Sequence, residues 1–150
     1  MLEHYIIPLP VSKIVDYDDA AGIDLDQAAA DVARILVPFN CVVFLAALII
    51  TETCAGTTPG VVKFDRRPTA GSDTSRGDGD IASFAMGTTA AGKVLYDEVA
   101  KGTKLNAGDE IVVQITTQPV TGPAGHFEPV LLVKPAEETK ANQTDLVVTA

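Results

Sequence analysis

The chain has 150 residues, and its 20 acidic and 11 basic side chains give a formal net charge of −9 at pH 7. Binding to nucleic acid or to an anionic membrane surface needs clustered Lys and Arg, so this acidic balance argues against both and favours proteins as partners. Hydrophobic residues make up 47% of the chain but aromatic residues only 5%, with no Trp, which argues against a sugar-binding or base-stacking surface.

The N-terminal residues 1–31 are predicted to form an extended arm. Residues 5–8 (YIIP) and 11–15 (VSKIV) are short β-type runs separated by prolines, which suit sheet edges rather than central strands. Such a segment buries too little apolar surface to offset the entropy of ordering it, so we expect it to pair with a partner's sheet edge. The arm residues predicted to bind the partner are Tyr5, Ile6, Ile7, Val11, Ile14, Asp16, Asp18 and Asp19.

Acidic residues dominate the second half of the arm. No Lys or Arg lies between Lys13 and Arg34, and this stretch contains six Asp residues. Two interpretations stay open, a solvated surface or an electrostatic contact with a basic partner surface. Residues 26–33 (DQAAADVA) are predicted to form a short helix, because the helix dipole favours Asp in the first turn.

Residues 41–50 (CVVFLAALII) form the longest apolar run, about half of what a membrane-spanning helix needs. The run is predicted to be a strand that is apolar on both faces, and such a strand must be covered on both faces. One face of the strand is expected to meet the core. The other is expected to contact the arm or a neighbouring subunit, and the oligomer interface predicted there consists of Val43, Leu45, Ala47 and Ile49.

Residues 32–136 carry β-type signals throughout. Residues 110–117 alternate between apolar and polar positions, as a half-buried antiparallel strand does. We predict an all-β fold, a single antiparallel, jelly-roll-like β-sandwich with the arm before it and a short C-terminal tail, residues 137–150, after it. The remaining strands are predicted at 34–37, 61–67, 81–86, 93–99 and 130–134, with turns at 57–60 (TTPG) and 105–109 (LNAGD) and a polar loop at 68–80.

Residues able to carry chemistry are few and scattered. His4 and His126 have no second His or Cys at metal-ligand spacing, and neither belongs to a nucleophile–base arrangement. Asp73, Asp78 and Asp80 lie in one loop, for which a solvated turn is expected and a calcium site is the alternative. No catalytic residue, metal site or cofactor is predicted.

Cys41 and Cys54 are expected to be reduced, buried thiols, with a mutual disulfide as the alternative.

Residues 21–25 (AGIDL) resemble the first motif of the trimeric dUTPases, jelly-roll enzymes of similar length. The other motifs of that family, for the phosphates, the uracil pocket and the C-terminal arm, have no counterpart in the chain. A dUTPase-like enzyme is therefore disfavoured, and residues 21–25 are predicted to form a turn before the short helix.

The order of elements in residues 34–134 resembles that of small jelly-roll proteins of tailed-phage virions. It runs from an apolar strand pair through a glycine turn and a basic strand (PGVVKFDRR) to a polar loop. A strand then leads into the LNAGD turn and the alternating strand DEIVVQITT. That turn and strand are common in trimeric sandwiches, including capsid decoration, or cement, proteins.

This resemblance implies a structural virion protein rather than an enzyme: a bacteriophage capsid decoration protein that binds and stabilises the lattice of the major capsid protein. It also implies a homo-oligomer on the capsid surface, with a homotrimer expected. Synthesis in the host cytoplasm is expected, because no targeting segment is visible. A tail or head-fibre component is the alternative structural role, and a host-surface binding module is disfavoured by the few aromatic residues.

Overall fold

Apolar residues at every second position produce strands along most of the chain. The strand Glu110–Thr117 shows the pattern clearly. Its residues Ile111, Val113 and Ile115 are buried in the core. On the other face Val112 and Gln114 are also buried and only Thr116 is exposed, so the strand is more buried than the predicted half-buried strand. Successive side chains of a strand point to opposite faces, so one face of such a strand meets the core and the other meets its surroundings.

The computed structural model describes residues 5–14, 17–18, 21–67 and 79–136, with residues 17–18 described for the backbone alone. In this part of the chain, strands form two antiparallel sheets that pack as a sandwich, so the predicted all-β sandwich is confirmed. The only helical segment among these residues is a 3-10 turn, Glu98–Ala100. The strands are β1 (Ile7–Pro8), β2 (Val11–Lys13), β3 (Tyr17–Asp18), β4 (Gly22–Asp24), β5 (Ala30–Leu36), β6 (Cys41–Ala55), β7 (Val61–Arg67), β8 (Asp80–Ala85), β9 (Val94–Tyr96), β10 (Lys104–Leu105), β11 (Glu110–Thr117) and β12 (Ala124–Pro135).

The larger sheet, sheet A, has the strand order β10–β6–β12–β4–β3, with β1 also paired to β12 and β9 also paired to β6. The smaller sheet, sheet B, has the order β2–β5–β11–β7–β8. The chain passes repeatedly from one sheet to the other, so the core draws on residues from the whole described chain. Phe64 of sheet B and Phe127 of sheet A are the largest fully buried side chains.

The described part of the N-terminal arm is built into both sheets of its own chain. β1 pairs with β12 through Ile7 and Val133, and β2 pairs with β5 through Val11 and Ile35. Between these strands, Leu9 is only 5% exposed and belongs to the core. The arm therefore joins the two sheets along one edge. Where the sequence predicted pairing with a partner's edge, the chain itself supplies both edges.

Two local predictions are wrong. The helix predicted for residues 26–33 is replaced by bends and the start of β5, in which Val32 and Ile35 are fully buried. Burial of these β-branched side chains against the core outweighs the helix propensity of the alanines before them. The turn predicted for residues 21–25 is largely the strand β4. The predicted boundary between residues 31 and 32 accordingly falls inside β5.

Several predictions concern residues of which the structure describes little or nothing. Asp18 lies in β3, where only the backbone is described. The predictions that lie outside the described residues are those on Asp16, Asp19, His4, Asp73, Asp78 and the tail, residues 137–150.

The predicted LNAGD turn is confirmed, and it fixes the corner where β11 enters sheet B. Asp109 is buried, and its Oδ2 accepts hydrogen bonds from Asn106 N at 2.9 Å and from Arg66 Nε at 3.0 Å. Gly108 has a φ of +88°, a conformation that glycine adopts without strain. Its N–H donates to Val37 O at 2.7 Å, which ties the turn to the chain just after β5.

Replacing Leu9 with Ala should lower the free energy of unfolding by about 2–5 kcal/mol, the usual effect of emptying a buried leucine site. The matched control is Tyr5→Ala in the same arm. Tyr5 is 60% exposed, so its loss should change the free energy by less than about 0.5 kcal/mol. Urea denaturation followed by circular dichroism measures both variants. Equal midpoints for Leu9→Ala and the wild type would show that the arm does not pack on the core.

Candidate functional site

A β-bulge in β6 decides which of its side chains point away from the core. Val43 pairs with Val133 and Leu45 pairs with Leu132, so Phe44 is an extra residue with no partner on β12. Before the bulge the odd-numbered residues of β6 face the core, and from the bulge to Ile50 the even-numbered residues do. A second register shift at Thr51 then turns Glu52, the partner of His126, to the outer face. The outer face of sheet A is the side of this sheet that points away from the core.

Three of the four residues predicted for the oligomer interface lie on this outer face. Leu45, Ala47 and Ile49 alternate with the core residues of the same strand. Val43 points to the opposite face, because the bulge between Val43 and Leu45 reverses the alternation of the strand. The Val43 side chain is 1% exposed and belongs to the core. Its assignment to the outer face is therefore wrong. Ala47 is 0% exposed, so side chains of its own chain cover it. For Leu45, Ala47 and Ile49, a role in an interface stays a prediction.

Apolar side chains from neighbouring strands extend the surface around Ile49. β9 lies beside β6, with Tyr96 paired to Ala47 and Val94 paired to Ile49. On the other side of β6, Val130 of β12 is the partner of Ala47. Ile49 is 41% exposed, Val94 51% and Tyr96 60%. A single exposed hydrophobic residue is ordinary, but adjacent ones indicate a contact surface. We call these five residues the apolar centre.

Lysines occupy one end of the outer face. Val42 has Lys104 of β10 as its partner on one side and Lys134 of β12 on the other. The Nζ atoms of Lys134 and Lys101 lie 5.1 Å and 5.5 Å from the centroid of the Phe44 ring, so two cations share one aromatic ring. The three lysines are called the basic end.

Carboxylates occupy the opposite end. His126 of β12 is paired with Glu52 of β6 on one side and with Asp24 of β4 on the other. Glu52 Oε1 accepts a hydrogen bond from Gly125 N at 2.9 Å and lies 3.2 Å from His126 Nδ1. The hydrogen bond from Gly125, with the nearby imidazole, lowers the pKa of Glu52, so its carboxylate is charged at neutral pH. Glu52, His126 and Asp24 are called the acidic end.

The outer face of sheet B differs, because its polar side chains pair with one another. Gln114 Nε2 donates a hydrogen bond to Asp31 Oδ1 at 2.8 Å, and Arg67 Nη2 donates to Asp31 Oδ2 at 3.2 Å. Asp65 is fully buried with its Oδ2 3.7 Å from Arg67 Nε, and burial raises the pKa of its carboxyl group. Within the described part of the chain, neither Asp65 oxygen has a hydrogen-bond partner.

The two cysteines are free, buried thiols, as predicted. Cys41 and Cys54 lie near opposite ends of β6, about 43 Å apart at the usual rise of a strand. A disulfide between them within one chain is therefore excluded.

Of the three loop carboxylates considered as calcium ligands, the structure describes only Asp80. Its Oδ2 lies 2.8 Å from Lys63 Nζ, so this carboxylate forms an ion pair.

The residues that resemble a dUTPase motif have structural roles in this chain. Ile23 and Leu25 are fully buried in the core. Gly22 has a φ of +97°, and a Cβ at this position would lie 2.7 Å from the carbonyl oxygen of Phe127. Only glycine fits there, because it allows β4 to approach β12 closely. Asp24 belongs to the acidic end of the outer face.

Sequence reasoning missed both charged ends and the contribution of β9. Lys104, Lys134 and Glu52 join their neighbours through cross-strand register, which the pattern of a single strand does not reveal. The shared face of Val94 and Tyr96 could have been predicted, because residues two apart in a strand, here the predicted strand 93–99, point to the same side.

The described residues contain no group of three or more His, Cys, Asp and Glu side chains that could hold a metal ion. Across the same ranges, no helix has the length and apolar character needed to cross a membrane. Comparison of the chain with models of protein families, with curated protein sequences and with solved structures finds no match. The function is therefore inferred from the surfaces of the chain itself.

Both thiols should resist alkylation in the native protein. Burial, with the nearby Asp109 carboxylate, raises the pKa of Cys41 to about 12, and burial likewise raises the pKa of Cys54. The reactive thiolate is therefore scarce at pH 8, and iodoacetamide should label both residues at least about tenfold more slowly in the native chain than in urea. Mass spectrometry measures the two rates. Equal rates in the two conditions would contradict the burial of these thiols.

Replacing Asp65 with Asn should change how stability depends on pH. The pKa of Asp65 is raised in the folded state, so its contribution to stability is present below its unfolded pKa and is lost as pH rises through its folded pKa. The Asn side chain does not ionise and avoids this loss. The free energy of unfolding of Asp65→Asn, relative to the wild type, should therefore increase between pH 4 and pH 7. Urea denaturation across this range measures it, and a constant difference would contradict the raised pKa.

Proposed function

We propose that the chain is a structural subunit of a large protein assembly, and that it decorates the capsid of a tailed phage. The observation that carries the first part is the apolar centre, where Ile49, Val94 and Tyr96 are exposed side by side. Contact between water and adjacent apolar side chains is unfavourable, and a protein partner that covers them gains the free energy of burying them. A subunit contact on sheet A therefore suits this face.

The capsid part of the proposal is supported by the pattern that resembles decoration proteins. The basic strand of that pattern is β7, formed at its predicted bounds, Val61–Arg67. The LNAGD turn is formed and leads into β11. A decoration protein needs a stable sandwich and exposed contact surfaces, and its role requires no catalytic group.

The arm supplies a second contact surface in this proposal. Tyr5 is 60% exposed, Ile6 45% and Ile14 41%, and we assign these three side chains to the contact with the major capsid protein. Ile7 and Val11, also predicted to bind the partner, pack against the core of their own chain and are left out of this contact. A homo-oligomer presents several arms at once, so individually weak contacts add up to stable attachment.

Capsids of the phage that encodes the chain, assembled without it, test the proposal. The wild-type chain should co-sediment with these capsids. Joint replacement of Tyr5 and Ile6 by Ser should weaken binding at least about tenfold, because buried aromatic and aliphatic anchors dominate binding energy at interfaces. Val99→Ser is the matched control, since Val99 is 85% exposed and lies outside the arm.

Two results would count against this proposal. If the wild-type chain does not bind such capsids, the decoration role is wrong. If the double variant binds as tightly as the wild type while the Val99 control also does, the arm is not the capsid contact.

A further inference from the structure

We propose that the outer face of sheet A binds a second copy of the chain across a two-fold axis, with the basic end of each copy over the acidic end of the other. This inference rests on the proposed function, because the second copy is the partner that would cover the apolar centre within the assembly. The positions of the charged side chains along the strands support the pairing.

The two charged ends are placed symmetrically about the apolar centre. Along β12 the outward side chains follow at every second residue, from Lys134 at the basic end through Val130 to His126 at the acidic end. Val130 is the midpoint, about 13 Å from each end at the usual strand rise. Its row continues across the sheet through Ala47 of β6 to Tyr96 of β9. A half-turn about this row exchanges the two ends.

Two copies that present the same face are related by a two-fold axis in the plane of contact, directed either along the strands or across them. An axis along the strands would stack the basic ends on each other, where like charges repel. An axis across the strands places Glu52 of each copy over Val42 of the other, between Lys104 and Lys134, and places Asp24 one strand to the side of Lys134. Opposite charges then meet at both ends, and the apolar centre meets its own copy between them.

The arm removes a charge that would oppose this stacking. Glu128 lies on β12 between the apolar centre and the acidic end, and its β6 partner is Ile49. In the two-fold arrangement it approaches Leu132 of the other copy, an apolar side chain. Lys13 Nζ lies 2.8 Å from Glu128 Oε2, so the arm neutralises this carboxylate within its own chain.

A second copy fits this face better than a partner of one charge sign. A basic partner would match the acidic end but meet three lysines at the other end, and an acidic partner would have the opposite conflict. The chain itself presents both signs at the required separation. In the homotrimer expected from the sequence, the outer face of sheet A would contact a different surface of the next copy. The basic end of one copy would then no longer meet the acidic end of the other.

Two charge variants and their mixture test the pairing. The acidic variant, Lys104→Glu with Lys134→Glu, is negative at both ends of the outer face, and the basic variant, Glu52→Lys, gains positive charge at its acidic end. In sedimentation velocity the wild type should be a dimer at micromolar concentration. Each variant alone should dimerise at least about tenfold more weakly. An equimolar mixture should recover dimers, which native mass spectrometry should identify as one chain of each kind.

Two further variants separate the proposed contact from a general effect of charge and from loss of folding. Arg34→Glu changes a charge on sheet B whose side chain is 56% exposed, and it should leave dimerisation unchanged. Tyr96→Glu places a charge in the apolar centre at an exposed position, so it should abolish the dimer while circular dichroism stays native. This variant decides the matter if a charge variant proves unfolded.

The pairing is overturned if the wild type is a monomer or a trimer, if the charge variants dimerise like the wild type, or if folded variants recover no dimer on mixing. Capsid binding separates this inference from the proposed function. A monomeric wild type that binds capsids overturns the pairing alone. If the wild type is a dimer that responds to the charge variants as predicted but does not bind capsids, the decoration role alone is overturned.

Discussion

The antiparallel ladder between β6 and β12 is the interaction on which the rest of the molecule depends. It runs from the pair Cys41 and Pro135 to the pair Ala55 and Ala124, so strands of 15 and 12 residues share one long line of backbone hydrogen bonds. β1, β4, β9 and β10 each attach to one of these two strands. The inner side chains of the ladder form the sheet A side of the core, and the outer side chains form the candidate contact surface. A change in this ladder would alter both.

The bulge at Phe44 determines what the ladder presents to each side. A shift of one residue in a strand exchanges its two faces, and the bulge makes this shift partway along β6. Val43 therefore enters the core, while Leu45, Ala47 and Ile49 turn outward. The Phe44 side chain also stays on the outer side, where the two lysine ammonium groups contact its ring. One extra residue thus separates the basic end from the apolar centre.

The parts of the fold that depend on local pattern could be predicted from the sequence, and the parts that depend on distant contacts could not. β7 and β11 have their predicted bounds, because alternation within one strand is visible in its own residues. The arm was predicted to need a partner because nothing local shows that Leu9 reaches the core. β12 begins at Ala124, six residues before the strand predicted at 130–134, because the pairing partner of Ala124, Ala55, lies far along the chain. For the same reason the apolar side of β6 was predictable, while its charged ends, assembled from other strands, were not.

Cross-linking at position 96 tests most directly whether the outer face of sheet A is where two copies meet. Tyr96 lies on the row about which the copies are related, so cysteines placed there face each other, and the native thiols are buried. A short bis-maleimide reagent should join Tyr96→Cys chains into covalent dimers at micromolar concentration. Leu36→Cys, at a position 63% exposed on sheet B, should stay largely monomeric under the same conditions. Equal, low cross-linking of the two variants would contradict the account.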